Sequence, residues 1–217
     1  MQKKNTIIDR SIVIDCGHGG DDPGFNGQGL SEKEFALILG LKLAQQLRAQ
    51  GYTVHMTRDD DKTLSLDERT GYANKCSHAD ALISLHGNAN INPAVCGIET
   101  YFMTPELFKT TLNLMNHEDT HHIDSHRKEL AKKSEKLAMS VHKDLIKEAQ
   151  KFQNVVDRKV KKQPGQVLFG DMPSILVECG FLSNPEEYAL LVNTKYQDAL
   201  VSGMVSGLGK FFETSFA

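Results

Sequence analysis

Ile12-Val13-Ile14-Asp15-Cys16-Gly17-His18-Gly19-Gly20 is a short apolar run that stops on a histidine among glycines. Ala81-Leu82-Ile83-Ser84-Leu85-His86-Gly87-Asn88-Ala89-Asn90 repeats the pattern. Both read as buried strands that end at an imidazole, with small residues that let another group approach closely. In open α/β sheets, ligands bind at the C-terminal ends of parallel strands. Two histidines delivered to one such edge point to a metal site.

Strand and helix patterns alternate outward from these two runs, which predicts an α/β fold. Ser31 and Glu34 fit a capping box, and the helix behind them stops at Gly51. Tyr52 to Met56 reads as a strand, and a second capping box, Ser65 with Glu68, opens a helix to about residue 75. Gly97 to Phe102 is a further strand. Residues 103 to about 127 are polar and histidine-rich (His117, His121, His122, His126) and read as an insertion, partly helical. A long amphipathic helix is expected from 129 to about 151, and short strands at 166–169 and 174–178. Asn184-Pro185-Glu186-Glu187 is a helix start, and a last helix covers about 195–212. Its Gly203 and Gly207 have polar neighbours, which assigns them to close packing on the sheet rather than to a membrane pair. The expectation is one domain over 1–217: a twisted, mostly parallel sheet of about six strands, with helices on both faces.

Composition is that of an ordinary globular chain: 217 residues, 40% hydrophobic and 24% charged. A net charge of −3 argues against a nucleic-acid partner held by a basic surface. No apolar run approaches ~20 residues, so no membrane span is expected. The first residues do not form a signal peptide; the protein is cytosolic or its leader lies outside this sequence. Cys16, Cys76, Cys96 and Cys179 have no CxxC spacing, which argues against a structural zinc knuckle.

A catalytic zinc keeps three protein ligands, commonly two His and a carboxylate, and leaves one position open. His18 and His86 are the nitrogen ligands expected here. Glu32 lies in the first turn of the helix that follows the His18 loop, beside the same strand end. Glu34 competes, but its capping box already supplies a partner. Hydrolysis also needs a base, and Glu178 ends the apolar strand Ile175-Leu176-Val177. A carboxylate there is costly to bury and is either functional or paired, the candidate partners being Arg58 and Arg69.

These blocks resemble the zinc-dependent N-acetylmuramoyl-L-alanine amidases of the bacterial cell wall, the amidase-3 family. The resemblance runs through Ile14 to Gly20 with Asp22-Pro23-Gly24 and Glu32-Lys33; Thr57-Arg58, Arg69 and Ile83 to Ala89; Gly97 to Phe102; and Met172 to Glu178 with Gly180 to Asn184. It implies one Zn2+ on His18, Glu32 and His86, with Glu178 as catalytic glutamate. The implied reaction cleaves the amide between N-acetylmuramic acid and L-alanine of the stem peptide. Asn88 either orients substrate or serves a turn. The resemblance also implies a cell-envelope location, periplasmic or extracellular, and peptidoglycan or muropeptides as partner, with a cell-division activator in some members. Such members carry a longer insertion over the zinc; the 103–127 segment is shorter, which predicts an open site unless Glu106, Glu118 or Asp119 reaches the metal.

Three departures stand out. Cys16 and Cys179 occupy family positions of small residues and read as buried packing, not nucleophiles. Lys159 stands where the family often has glycine, which questions the local loop conformation. Two other classes compete. Ser125-His126-Arg127-Lys128 and Ser140-Val141-His142-Lys143 match the S-x-x-K of serine acyl-enzymes, but no K-T-G or S-x-N accompanies them. A peptidoglycan-binding regulatory homologue without catalysis should have lost a ligand or the base, and all four are present.

Overall fold

A computed structural model describes residues 10–27, 29–76, 78–114 and 125–215. In chain order the elements are β1 (Ser11–Cys16), α1 (Glu32–Ala49), β2 (Thr53–Met56), α2 (Leu66–Lys75), β3 (Ala81–Asn88), β4 (Ile98–Phe102), α3 (Pro105–Leu114), α4 (Ser125–Ala149), β5 (Asp157–Lys162), β6 (Ser174–Phe181), α5 (Pro185–Leu191) and α6 (Thr194–Ser215). The strands form one six-stranded sheet in the order β2-β1-β3-β6-β4-β5. Every neighbouring pair is parallel except β4 against β6. The parallel α/β sheet expected from the sequence is therefore present.

Alternation along the strands sorts the core into two layers. Ile12, Ile14, Ile83, Leu85, Ile175 and Val177 face the larger one, with side chains of α1, α4 and α6. Val13 and Leu82 point to the opposite face and join Ala73 of α2, Leu168 and Phe169. Central strands buried on both faces must be apolar throughout, which is why both His-terminated runs read so clearly.

Several expectations shift. Residues 166–169 form a 3-10 turn on the α2 face, not a strand. The missing strand is β5, whose Asp-Arg-Lys-Val-Lys-Lys sequence carries an edge-strand charge pattern that hides it from a hydrophobicity reading. Gly203 and Gly207 pack against α4 rather than the sheet: a Cβ at Gly207 would lie 2.5 Å from the Val141 Cα, and one at Gly203 2.7 Å from the Leu145 Cα. The 103–127 insertion contributes α3 and the first residues of α4; its His117, His121 and His122 lie outside the described residues.

Candidate metal centre

The sheet delivers the two histidines side by side. Cys16 of β1 pairs in register with Leu85 of β3, so His18 and His86 leave adjacent strands at one edge. Their rings stand edge to face with centroids 5.0 Å apart. Ser31 and Glu34 close the capping box that starts α1, and this places Glu32 in its first turn. Glu32 Oε1 lies 2.9 Å from His18 Nε2 and 2.9 Å from His86 Nδ1. His18, Glu32 and His86 each offer a ligand atom within 4.8 Å of the others. Glu34 is spent on the cap, as its position predicted.

Three features hold this geometry. His18 has φ 59, a left-handed conformation uncommon outside glycine and worth about 1–2 kcal/mol, which a site must offset by other contacts. A Cβ on Gly17 would fall 2.3 Å from the His86 ring, and one on Gly24 would fall 2.6 Å from Glu32 Oε2. The glycines thus make room for an imidazole and a carboxylate to converge. Two buried arginines clamp the loop from behind: Arg58 donates to the carbonyls of Cys16, Gly17 and Lys33. Arg69 donates to Asp15 Oδ1 (2.9 Å) and to the carbonyls of Cys16 and His18.

The electrostatics are those of a site built for positive charge. Burial would raise Glu32, but hydrogen bonds from His18 and His86 hold it at about 2. Burial would lower His18, yet Glu32 and Asp22 push it up to about 9. His86 is raised by the same balance, with Glu32 and Glu178 outweighing burial. Asp22 Oδ2 lies 2.8 Å from His18 Nδ1, which fixes the ring and leaves Nε2 facing Glu32. That orienting carboxylate was not singled out from sequence, although it stands four residues after His18 on the same loop.

Glu178 pairs in register with His86 on the adjacent strand, about 4.8 Å away across the sheet. Burial pushes it up to about 7 against the pull of His86. Its Oε2 is buried with no hydrogen-bond partner among the described residues. Arg58 and Arg69 are both committed to the β1 loop, so the ion-pair alternative for Glu178 fails. A buried carboxylate oxygen left unpaired beside two His and a Glu is what a cation or a polarised water would satisfy. The residues present therefore fit a metal ion.

Asn88 sits at the end of β3, but its Nδ2 donates to Glu99 Oε1 (2.7 Å) and its Oδ1 accepts from the Ala89 N–H. The site extends through Glu99, a residue the sequence reading passed over as one polar position in an ordinary strand. Of the insertion acids, Glu106 is exposed on α3 and outside the cluster; Glu118 and Asp119 lie outside the described residues. Ser140 donates to the Gly207 carbonyl inside the α4–α6 contact, a packing role rather than a nucleophile's. Ser125 is exposed on the first turn of α4.

Comparison with known proteins agrees with this geometry. The chain is 29% identical to the Bacillus subtilis protein YqiI over 98% of its length and 89% of that protein's. It is 30% identical to the Neisseria meningitidis N-acetylmuramoyl-L-alanine amidase AmiC, covering 94% of this chain but only 53% of AmiC. An N-acetylmuramoyl-L-alanine amidase structure from Clostridium difficile 630 superposes with a TM-score of 0.78 at 32% identity, covering 95% of this chain and 98% of that one. The family model for N-acetylmuramoyl-L-alanine amidases, amidase-3, matches residues 12–210. The chain belongs to the N-acetylmuramoyl-L-alanine amidase family.

Proposed function

We propose that this chain, as a single catalytic unit, uses one zinc ion on His18, Glu32 and His86, with Glu178 as its proton carrier, to release stem peptides from peptidoglycan. The observation that carries the reading is the unpaired, buried Oε2 of Glu178 next to the His–Glu–His cluster. Two His and one Glu, with a position left open, is a donor set that suits catalytic zinc. When bound, the ion supplies a Lewis acid that polarises the scissile carbonyl and stabilises its developing negative charge.

The protein's own groups account for the proton. Water oxygen adds to the lactyl carbonyl carbon while Glu178 takes the water proton. The C–N bond then breaks, and Glu178 passes that proton to the departing alanine nitrogen. Burial raises the Glu178 carboxyl above the ordinary carboxylate range, the direction that suits a group which must both accept and donate a proton. Asp22 keeps the His18 ring in place, and Arg58 and Arg69 keep its backbone there. Asn88 positions Glu99, to which its amide is bonded, and its Oδ1 also serves the turn at Ala89.

Peptidoglycan lies outside the cytoplasm, so the cell envelope is the working location. No described helix is long and apolar enough to cross a membrane. A related structure is that of the Clostridioides difficile CwlD amidase in complex with the GerS lipoprotein (26% identity, TM-score 0.75). A protein activator is therefore the second reading, against activity of the chain alone.

One experiment addresses both. Purified protein, Glu178→Gln and chelator-treated protein are incubated with muropeptides and the products weighed by mass spectrometry. Peptides beginning at L-alanine are expected from metal-loaded wild type only, with Glu178→Gln slower by about 10²–10⁴-fold while still binding metal. Full activity in Glu178→Gln removes it from the mechanism. A metal-loaded wild type that leaves muropeptides intact favours the activator.

A further inference from the structure

β5 contains a bulge whose consequence reaches the catalytic edge. Ile98 of β4 pairs with Asp157, yet Thr100 pairs with Val160, so Arg158 and Lys159 together oppose Glu99. Lys159 has φ 73 at this point. Asp157 fixes the bulge: its Oδ1 accepts from the Lys159 N–H (2.9 Å) and lies 2.8 Å from Nε2 of the buried His142 of α4. In a regular strand, residues three apart point to opposite faces. The extra residue instead brings Arg158 and Lys161 to the same side, where both donate to Glu99 Oε2.

Glu99 is 3% exposed and fully engaged, for its Oε1 accepts from Asn88 Nδ2 (2.7 Å) and the Tyr101 hydroxyl (2.6 Å). It is also the antiparallel register partner of Glu178. His86, Glu178 and Glu99 thus stand abreast on β3, β6 and β4, and the two cations form the next step outward. Their side chains are 31% and 38% exposed, and one carboxylate faces two positive charges. The two cations share this one hydrogen-bonded carboxylate, with Glu187 also close enough to act on Arg158, and both remain partly open to solvent one strand beyond the base.

We propose that Arg158 and Lys161, held by Glu99 and the Lys159 bulge, form a subsite for a substrate carboxylate on the peptide side of the scissile amide. The proposal rests on the amidase reading above. Strand spacing puts the rim roughly 5–10 Å from Glu178, which is about two to three extended residues of peptide. That reach takes in the residue after L-alanine, D-glutamate, whose α-carboxyl is free in some walls and amidated in others, and it is this carboxylate that the substrate pair below tests. The subsite favours the free acid.

The test compares zinc-loaded protein on N-acetylmuramoyl-L-alanyl-D-glutamate and on the D-isoglutamine form, following release of the dipeptide. Wild type is expected to favour the acid by about fivefold in kcat/KM, the scale of a partly exposed charge-assisted contact. Lys161→Met should bring that ratio close to one, and Lys161→Arg should keep it. Should Lys161→Met not fold, about 0.5 M salt applied to wild type should also reduce the ratio, because exposed charges are screened. Equal rates on both substrates, or a ratio that survives both Lys161→Met and salt, overturns the subsite. Hydrolysis of neither substrate by protein that still cleaves larger muropeptides overturns the subsite alone; muropeptides left intact as well would count against the chain acting without an activator.

Discussion

Asp15 shows how much of the site is held by one residue that never touches substrate. It is buried, it pairs with Arg69 (2.9 Å), and it accepts from the hydroxyls of Thr57 and Ser84 (both 2.7 Å). Burial alone would raise its carboxyl, but Arg69 and the two hydroxyls outweigh it and hold the group below its ordinary 3.8. A depressed carboxyl adds stability above its unfolded value and loses it as pH falls through the folded one. Asp15→Asn should therefore cost about 3–5 kcal/mol at neutral pH by urea unfolding. That gap to wild type should narrow once the pH drops below about 4; a constant gap would mean the charge is not what matters. The cysteines give a second check at this scale. Burial pushes the Cys16 thiol up to about 12 and raises Cys179 as well, while Cys76 and Cys96 are only half-buried. In the native protein a thiol reagent should modify Cys76 and Cys96 and reach the other two only on unfolding. Fast native labelling of Cys16 would contradict the packing role read for it.

Among the elements, those with a strong local signal were legible and those set by tertiary contacts were not. Both capping boxes, the Asn184 helix start and the two His-terminated strands follow from short-range chemistry, and the structure has each of them. β5 did not read as a strand because its residues are mostly charged and its bulge breaks the alternation. The doubt raised by Lys159 in place of glycine was physical: the residue adopts the left-handed backbone that glycine favours. Lys159→Gly should accordingly stabilise the protein by about 1 kcal/mol, or about 2–4 °C in Tm. A lower Tm would mean that the Lys159 contacts to Asp157 outweigh the strain. The α4–α6 contact predicts the opposite sign. Gly207→Val forces a side chain against α4 backbone and should cost about 1–3 kcal/mol, with zinc stoichiometry unchanged.

For the whole molecule, His18, Glu32, His86 and Glu178, which the structure gathers at one sheet edge, could be picked out because each lies in or beside a short apolar strand or a capping box; β6 nonetheless runs on to Phe181, so Glu178 lies within that strand and does not end it. Asp22 and Glu99 were not, since their partners are chosen by loop closure and by the antiparallel insertion of β4. What unites the cluster is strand order: β1, β3 and β6 become neighbours only when segments far apart in the chain pair. The unfolded polypeptide consequently offers no chelate, only scattered weak donors, so a metal ion bound at the cluster would distinguish folded from unfolded chains by mass action. Free zinc at about a hundred times its dissociation constant would add about 2.7 kcal/mol to the folding free energy. Cellular metal supply would then set this protein's lifetime as well as its turnover, and a chain starved of zinc would be the one that unfolds first.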